Sequence, residues 1–472
     1  MLKMSNQQLK RYLFWFAHEH VDFRLAEMES IFDMFNIDPC TITRPKEHPY
    51  WIMALPDENA VHQIASRAVS LRFCLELWAQ DKQNEDLHNS LKAYSAKNSE
   101  AMARDKKKSF KIVVETFCKH FSQREKINKI DSFSYLPFEG PVKLKNPDIT
   151  LCYIEHYGLN PNNIPEEPHE YFFGRWIADG QRELIQKLSL KTRKFIGNTS
   201  MDPQLSLIMA NQAQIRNGDL VFDPFVGTGS LLIAASHFGG YTFGTDIDFL
   251  MLHGRTRPTR ISQKTREKDE SVAANMRQYG MSSYYLDVVV SDFSYPLWRA
   301  DLRIDAIVTD PPYGIREATE RIGTMKINPV IEEHQATSHI PSKIVYGLNQ
   351  IYKDLLCFSA KHLRLQGRLV CWYPLFRDQY VEDQLPAHSC LELIANSEQV
   401  LSNYTSRRLL TYKKVKEPEA TDESVIMNLI DFREKYFALR EETRKEKRTR
   451  KAAERAKRRE EWERSNKEVT ER

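Results

Sequence analysis

The feature that most constrains this chain is a regular alternation, from about Asp202 onward, of strands that are apolar throughout with intervening helices. The strands expected are Asp219–Phe222, Tyr241–Thr245, Val288–Ser291, Ile304–Thr309 and Arg368–Trp372. Strands with no polar face must be covered on both sides, and helices between them supply that cover, so the pattern predicts a parallel, doubly wound α/β sheet. Two later extended runs, Leu391–Leu401 and Arg407–Val415, read as a terminal hairpin on that sheet.

The first strand runs into Asp223-Pro224-Phe225-Val226-Gly227-Thr228-Gly229-Ser230, and a helix follows. Glycines at this point let the backbone turn sharply and approach a ligand at the helix N-terminus. The segment is not the GxGxxG of a pyrophosphate cradle. An acid such as Asp223 suits a cofactor carrying positive charge and no phosphate, that is, a sulfonium. The next strand ends in Asp246, where ribose hydroxyls lie in folds of this class. The third is followed by Asp292 and Phe293, a pair suited to the edge and face of an adenine. A plain tight βα turn is the bland alternative for the glycines alone; acids at two further strand ends favour the cofactor.

The fourth strand ends in Asp310-Pro311-Pro312-Tyr313. An amino group conjugated to a ring is a poor nucleophile, because its lone pair is delocalised. The Asp310 carboxylate and the Pro311 carbonyl can accept its two N–H bonds and hold the lone pair toward a methyl donor. Pro312 stiffens the turn, and Tyr313 can stack on the base at about 1–3 kcal/mol. Thr199 and Ser200 sit where a loop can close over the methionine end of the cofactor, although Asp202 is an equally good N-cap for the helix that follows. Arg316 and Arg321 lie in a long polar loop reaching to about Ser342, expected to contact phosphates.

Asp223–Gly229 together with Asp310–Tyr313 resembles the amino-methyltransferase pattern of S-adenosylmethionine-dependent enzymes. Three stretches narrow it: Arg193–Pro203, Ser132–Gly140 and Gly314–Glu317. Together they resemble the catalytic subunits of eukaryotic tRNA (guanosine-10-N2)-methyltransferases, over about Arg11 to Val415. The resemblance implies a Rossmann-like methyltransferase core over residues 191–430, preceded by two small α+β modules. These are a ferredoxin-like domain over residues 1–80 and a THUMP RNA-binding domain over residues 81–190; a charged helical tail, 431–472, follows. It also implies S-adenosylmethionine as cofactor and tRNA as substrate, with Lys143, Lys145, Arg175 and Trp176 contacting the tRNA end. The implied partner is a small zinc-containing activator subunit forming a heterodimer. The tetrapeptide chemistry by itself serves any planar amine, so methylation of a protein glutamine or of a DNA adenine stays open at this point. So does a non-catalytic tRNA-binding scaffold.

Within the first 80 residues strand-like and helix-like runs alternate as β-α-β-α-β, and Gln80–Lys108 reads as a polar connector carrying one helix. The net charge of +4 is a weak nucleic-acid signal. From Glu441 onward there are 13 Lys and Arg against 9 Asp and Glu, which accounts for all of it and leaves 55 of each sign before that point. Seven cysteines without a CxxC pair, and scattered histidines with no HExxH, predict reduced thiols, no metal site and a cytoplasmic location. No run approaches the 18 apolar residues of a membrane span, so no membrane partner is expected.

Overall fold

The computed structural model describes residues 9–38, 40–43, 47–261, 263–295, 297–325, 341–419, 424–425, 432–440 and short helical pieces between 444 and 453. The tail expected as one helix over 431–472, and much of the polar loop expected to run to Ser342, lie largely outside the described residues; 432–440 is helical.

The N-terminal half is built on one sheet. β1 (Lys10–Phe16), α1 (Arg24–Phe35), β2 (Cys40–Thr43), β3 (Tyr50–Leu55), α2 (Glu58–Ala65) and β4 (Leu71–Asp81) lead into α3 (Asn84–Lys97) and α4 (Ser99–Asp105). Then come β5 (Phe110–Phe117), α5 (Gln123–Asp131), β6 (Ile149–His156) and β7 (Glu170–Asp179). The strand order is β2-β3-β1-β4-β7-β6-β5, antiparallel except for β5 with β6. A division at residue 80 therefore falls inside β4, which pairs with β1 on one side and β7 on the other. The stretch expected as a connector is two helices. α3 buries Leu87 and Leu91 against a cluster that includes Ala79, Val114 and Phe173, so it is part of the core.

The C-terminal half begins with α6 (Glu183–Lys187) and α7 (Pro203–Gln212). It continues through β8 (Leu220–Asp223), α8 (Ser230–His237), β9 (Tyr241–Asp246), α9 (Phe249–Leu252), α10 (Val272–Gln278), β10 (Tyr285–Val290) and β11 (Ile304–Thr309). A small hairpin, β12 (Glu320–Ile322) with β13 (Lys343–Val345), precedes α11 (Leu348–His362) and β14 (Leu363–Phe376). The last strands are β15 (Ala387–His388), β16 (Leu391–Val400), β17 (Thr405–Lys414) and β18 (Ser424–Val425). The sheet order is β10-β9-β8-β11-β14-β17-β16-β15-β18, parallel from β10 to β14 and antiparallel beyond. The doubly wound sheet and its terminal hairpin are as expected, with β17 inserted between β14 and β16. β10 departs from the expectation of strands covered on both faces: it is the edge strand, and Leu286, Val289 and Val290 are exposed.

α7 joins the halves. Asp202 Oδ1 accepts the N–H groups of Gln204 (2.8 Å) and Leu205 (3.2 Å), with Pro203 in the first turn, so the helix starts sharply. All ten of its residues are buried, because α8 covers one side and α1 of the N-terminal half the other. Its polar residues are therefore used at the junction. Asn211 donates to Glu27 Oε1 (2.8 Å) and to the Arg67 carbonyl (2.8 Å), and accepts Arg67 Nε (3.0 Å). Glu27, fully buried on α1, also accepts the N–H groups of Val69 (2.8 Å) and Ser70 (3.1 Å). Arg368 on β14 reaches back to Ser30 Oγ (3.0 Å) and Asp33 Oδ2 (2.7 Å) on α1. Replacing Glu27 with Ala strands three buried N–H donor groups, and the full chain should lose about 3–5 kcal/mol of stability, read as a lower thermal or denaturant midpoint. A midpoint unchanged from wild type would show that this network does not hold the junction.

Candidate active site

The strand order reverses between β8 and β11, so their carboxyl ends open a crevice at the switch point. Asp223, at the end of β8, is 1% exposed; its Oδ1 accepts the Thr309 hydroxyl (2.8 Å) at the end of β11 and the Phe225 N–H (3.0 Å). Burial pushes its carboxyl up to about 7. This bond fixes the turn after β8 next to the tetrapeptide after β11.

The turn itself needs its glycines. Gly227 (φ +51°) and Gly229 (φ +79°) occupy the left-handed region, and Gly227 donates its N–H to Asp246 Oδ2 (2.8 Å) at the end of β9. A methyl group on Gly229 would strike Val272 of α10, whereas one on Gly227 would meet nothing within 4 Å. That open space over the turn is what a cofactor lying across the strand ends requires. Asp246 also accepts the Asp248 N–H (2.8 Å), and burial pushes it up to about 6. Thr228 Oγ1 meets Ser200 Oγ at 2.6 Å, so the Thr199–Ser200 loop is tied to the turn while Asp202 caps α7. Thr199 bonds Glu317, which follows the tetrapeptide.

Asp292 is buried and accepts the Ser294 N–H (2.8 Å) and the Ile322 N–H (2.5 Å). Phe293 packs edge-on against Phe225, with ring centroids 5.2 Å apart, and the two line the crevice beside the turn. The acids Asp223, Asp246 and Asp292 thus cluster at three strand ends. That set suits a cation with ribose hydroxyls rather than a pyrophosphate.

On the other side, Asp310 follows β11. The Tyr313 hydroxyl donates to its Oδ1, and Arg407 of β17 donates to its Oδ2 at 3.0 Å. Tyr313, read from sequence as a stacking ring, turns its hydroxyl to Asp310 here while its ring packs against both large core clusters. Pro311 is buried and Pro312 partly so. Arg316 donates to the Asn198 carbonyl (3.2 Å), and Arg321 is exposed in β12, opposite Ile344.

Far from the crevice, Lys143 and Lys145 are exposed beside exposed Val142 and Leu144. Arg175 is different. It is committed to Glu76 (2.8 Å from Nη2) and Glu58, and these carboxylates more than offset the burial that would lower its guanidinium. Trp176 stacks on Phe73 at 4.1 Å. Both serve the sheet, not an open RNA surface. Sequence reasoning missed Thr309 and Arg407; neither belongs to a local motif. Among the described residues no group of three or more His, Cys, Asp or Glu gathers as a metal site, and no helix is long and apolar enough to cross a membrane.

Residues 10–182 match the family described as Tmrp11 THUMP N-terminal domain, and residues 191–327 the one described as RMKL-like, methyltransferase domain. Over 444 residues the chain is 46% identical to the tRNA (guanine(10)-N(2))-methyltransferase TRMT11 of Homo sapiens, covering 91% of this chain and 96% of that one. It is 33% identical over 442 residues to the tRNA (guanine(10)-N(2))-methyltransferase of Saccharomyces cerevisiae, covering 91% of this chain and 99% of that one. Among solved structures it is similar to TrmN from Thermus thermophilus, at 16% identity and a TM-score of 0.41 over 86% of this chain and 100% of that one.

Gly244, inside β9, tests the packing under the turn. An added Cβ would lie 2.3 Å from the Asp223 carbonyl oxygen and 2.3 Å from Val226 Cγ2, and backbone cannot give way there. Gly244→Ala should destabilise the chain by about 1–3 kcal/mol, visible as an earlier melting transition; melting at the wild-type temperature would contradict this geometry.

Proposed function

The chain belongs to the tRNA (guanine(10)-N(2))-methyltransferase family, and we propose that it transfers a methyl group from S-adenosylmethionine to the exocyclic N2 of a guanosine in tRNA, position 10 as in its relatives. The observation that carries the reading is the Thr309–Asp223 bond, which sets the amine-binding Asp310–Tyr313 segment beside the open glycine turn. The cofactor supplies a methyl carbon made electrophilic by a sulfonium, whose leaving group is a neutral thioether.

The protein's residues do the rest. Asp223, Phe225, Gly227, Thr228, Gly229, Asp246, Asp292 and Phe293, with Thr199 and Ser200 of the facing loop, bind and orient the donor. Asp310 and the Pro311 carbonyl accept the two N–H bonds of the guanine amine. This draws density onto nitrogen and aims its lone pair along the line of attack. A C–N bond forms as the C–S bond breaks, and the nitrogen then sheds one proton to solvent. Pro312 holds the turn, and Tyr313 moves from Asp310 to the face of the base as the amine replaces its hydroxyl. No metal is needed, because the donor is already cationic. Arg316 and Arg321 at the crevice mouth, and Lys143 with Lys145 on the N-terminal half, are the contacts proposed for tRNA phosphates. Arg175 is not among them.

The partner proposed is the small zinc-containing activator. β10 is an edge strand of the sheet with Leu286, Val289 and Val290 exposed, and Tyr295 and Leu297 in the segment that follows are exposed too. An unpaired apolar edge is a template for pairing with another chain. The compartment proposed is the cytoplasm, in keeping with buried thiols such as Cys74 and Cys152, which burial pushes well above the ordinary thiol range.

Asp310→Ala should lower single-turnover methylation of saturating tRNA by about 100- to 1,000-fold while S-adenosylhomocysteine still raises the melting temperature. Activity near wild type would mean that another group holds the amine. For the partner, Val289→Glu should abolish co-purification of the activator without lowering the melting temperature of the lone chain; an intact complex would move the docking surface elsewhere.

A further inference from the structure

Arg407 lies on β17, 97 residues beyond the carboxylate it contacts, and is anchored on three sides. Nη1 donates to Asp310 Oδ2 at 3.0 Å, Nε donates to Gln399 Oε1 of β16 at 2.7 Å, and the guanidinium sits 3.9 Å from the centre of the Trp372 ring of β14. Its side chain is 14% exposed. A cation this enclosed is costly unless its charge is used.

The use follows from what Asp310 must be. The guanine amine presents two N–H donors, so its partner must be an acceptor. A protonated carboxyl gives up one of its accepting oxygens to an O–H donor and loses the charge that draws density onto the nitrogen, so the contact is weakened. Burial pushes Asp310 toward that protonated form, and Arg407 is the first influence against it, followed by the Tyr313 hydroxyl. The other titratable groups facing Asp310 do not help. Asp223 on β8 is itself acidic, while Cys371 on β14 and Tyr352 on α11 are pushed upward by burial and stay neutral at working pH. Among the described residues Arg407 is the one cation in this set.

We infer that Arg407 is a positioning residue for methyl transfer: it holds Asp310 ionised and aimed at the amine, and so sets the acid edge of the enzyme's pH range. This rests on Asp310 being the amine acceptor. The sign is fixed by the pair. Transfer needs the carboxylate, so kcat/KM rises as pH rises through the Asp310 pKa. Removing the positive charge raises that pKa and moves the rise to higher pH. Arg407→Lys keeps the charge and loses the two-pronged geometry, so its edge should stay near the wild-type position with a lower plateau.

The test is the pH profile of kcat/KM for tRNA methylation between pH 5.5 and 9, with the full chain and its activator. For Arg407→Gln we expect a loss of about tenfold or more at pH 6.5 that largely recovers by pH 9, with the S-adenosylhomocysteine melting shift retained. A profile lowered equally at every pH would reduce Arg407 to a structural role and overturn the inference. So would an Arg407→Lys edge displaced as far as that of Arg407→Gln. Should Arg407→Gln not fold, Arg407→Met carries the test: it also removes the charge while keeping a long stem against the Trp372 ring, and should shift the edge in the same direction. An unmoved edge there overturns the inference as well. Asp310→Ala, which leaves no side-chain acceptor, separates the two readings. If it is fully active, the amine-acceptor role itself fails; if it is inactive while the Arg407→Gln edge stays put, the role of Arg407 alone fails.

Discussion

The hydrogen bond between Thr309 and Asp223 is the constraint on which the site depends. Methyl transfer requires a lone pair, a carbon and a leaving sulfur in one line, with the reacting atoms about 3–3.5 Å apart. Nothing on a single loop can guarantee such a line. Two adjacent parallel strands can, because their register is set by the sheet: Ala306 and Ile307 of β11 lie beside Val221 and Phe222 of β8. The bond at their ends carries that register into the two turns, so the two segments proposed to bind donor and amine are held in fixed relation by the backbone. The clash that a Cβ on Gly244 would make with the Asp223 carbonyl shows how little slack the arrangement contains.

The N-terminal half is held by the same economy of means. α7 is buried on every side, and its Asn211 bonds Glu27 of α1 and the loop before β4. Arg368 of β14 ties α1 to the catalytic sheet a second time, and Asp22 accepts the N–H of Glu398 on β16 (2.5 Å). Phe23 lies 5.8 Å from Trp372, the ring on which Arg407 rests. With tRNA held on this half, as proposed, the fixed junction would set the distance from the bound RNA to the crevice and so the choice of nucleotide.

Much of this was legible in the sequence, and the unread part has a common cause. The apolar strands, the glycine turn and the Asp310 segment are local patterns, and each sits where its pattern required. Arg407 was invisible because its meaning lies in a partner 97 residues away; in the sequence it is one of two arginines in a strand. That residue 80 falls inside β4 was not legible, because strand neighbours are long-range facts and β4 pairs with both β1 and β7. α3 passed for a connector since Leu87 and Leu91 alone of its residues are buried. Arg175 was read as an RNA contact because charge is visible in a sequence and its neutralisation by Glu58 and Glu76 is not.

The electrostatics of the crevice follow from one asymmetry. Its proposed cofactor side is acidic: burial pushes Asp223 up to about 7 and the partly buried Asp246 up to about 6, and among the described residues no cation pairs with either. Its substrate side has Arg407. A cationic donor therefore finds carboxyls that become more comfortable as charges once it arrives, so that its binding is coupled to their ionisation. The amine, which is neutral, meets in the proposed mechanism a carboxylate whose charge Arg407 supports. Each ligand meets the charge state it needs, and the difference between the two sides comes down to whether the compensating cation is supplied by the ligand or by the fold.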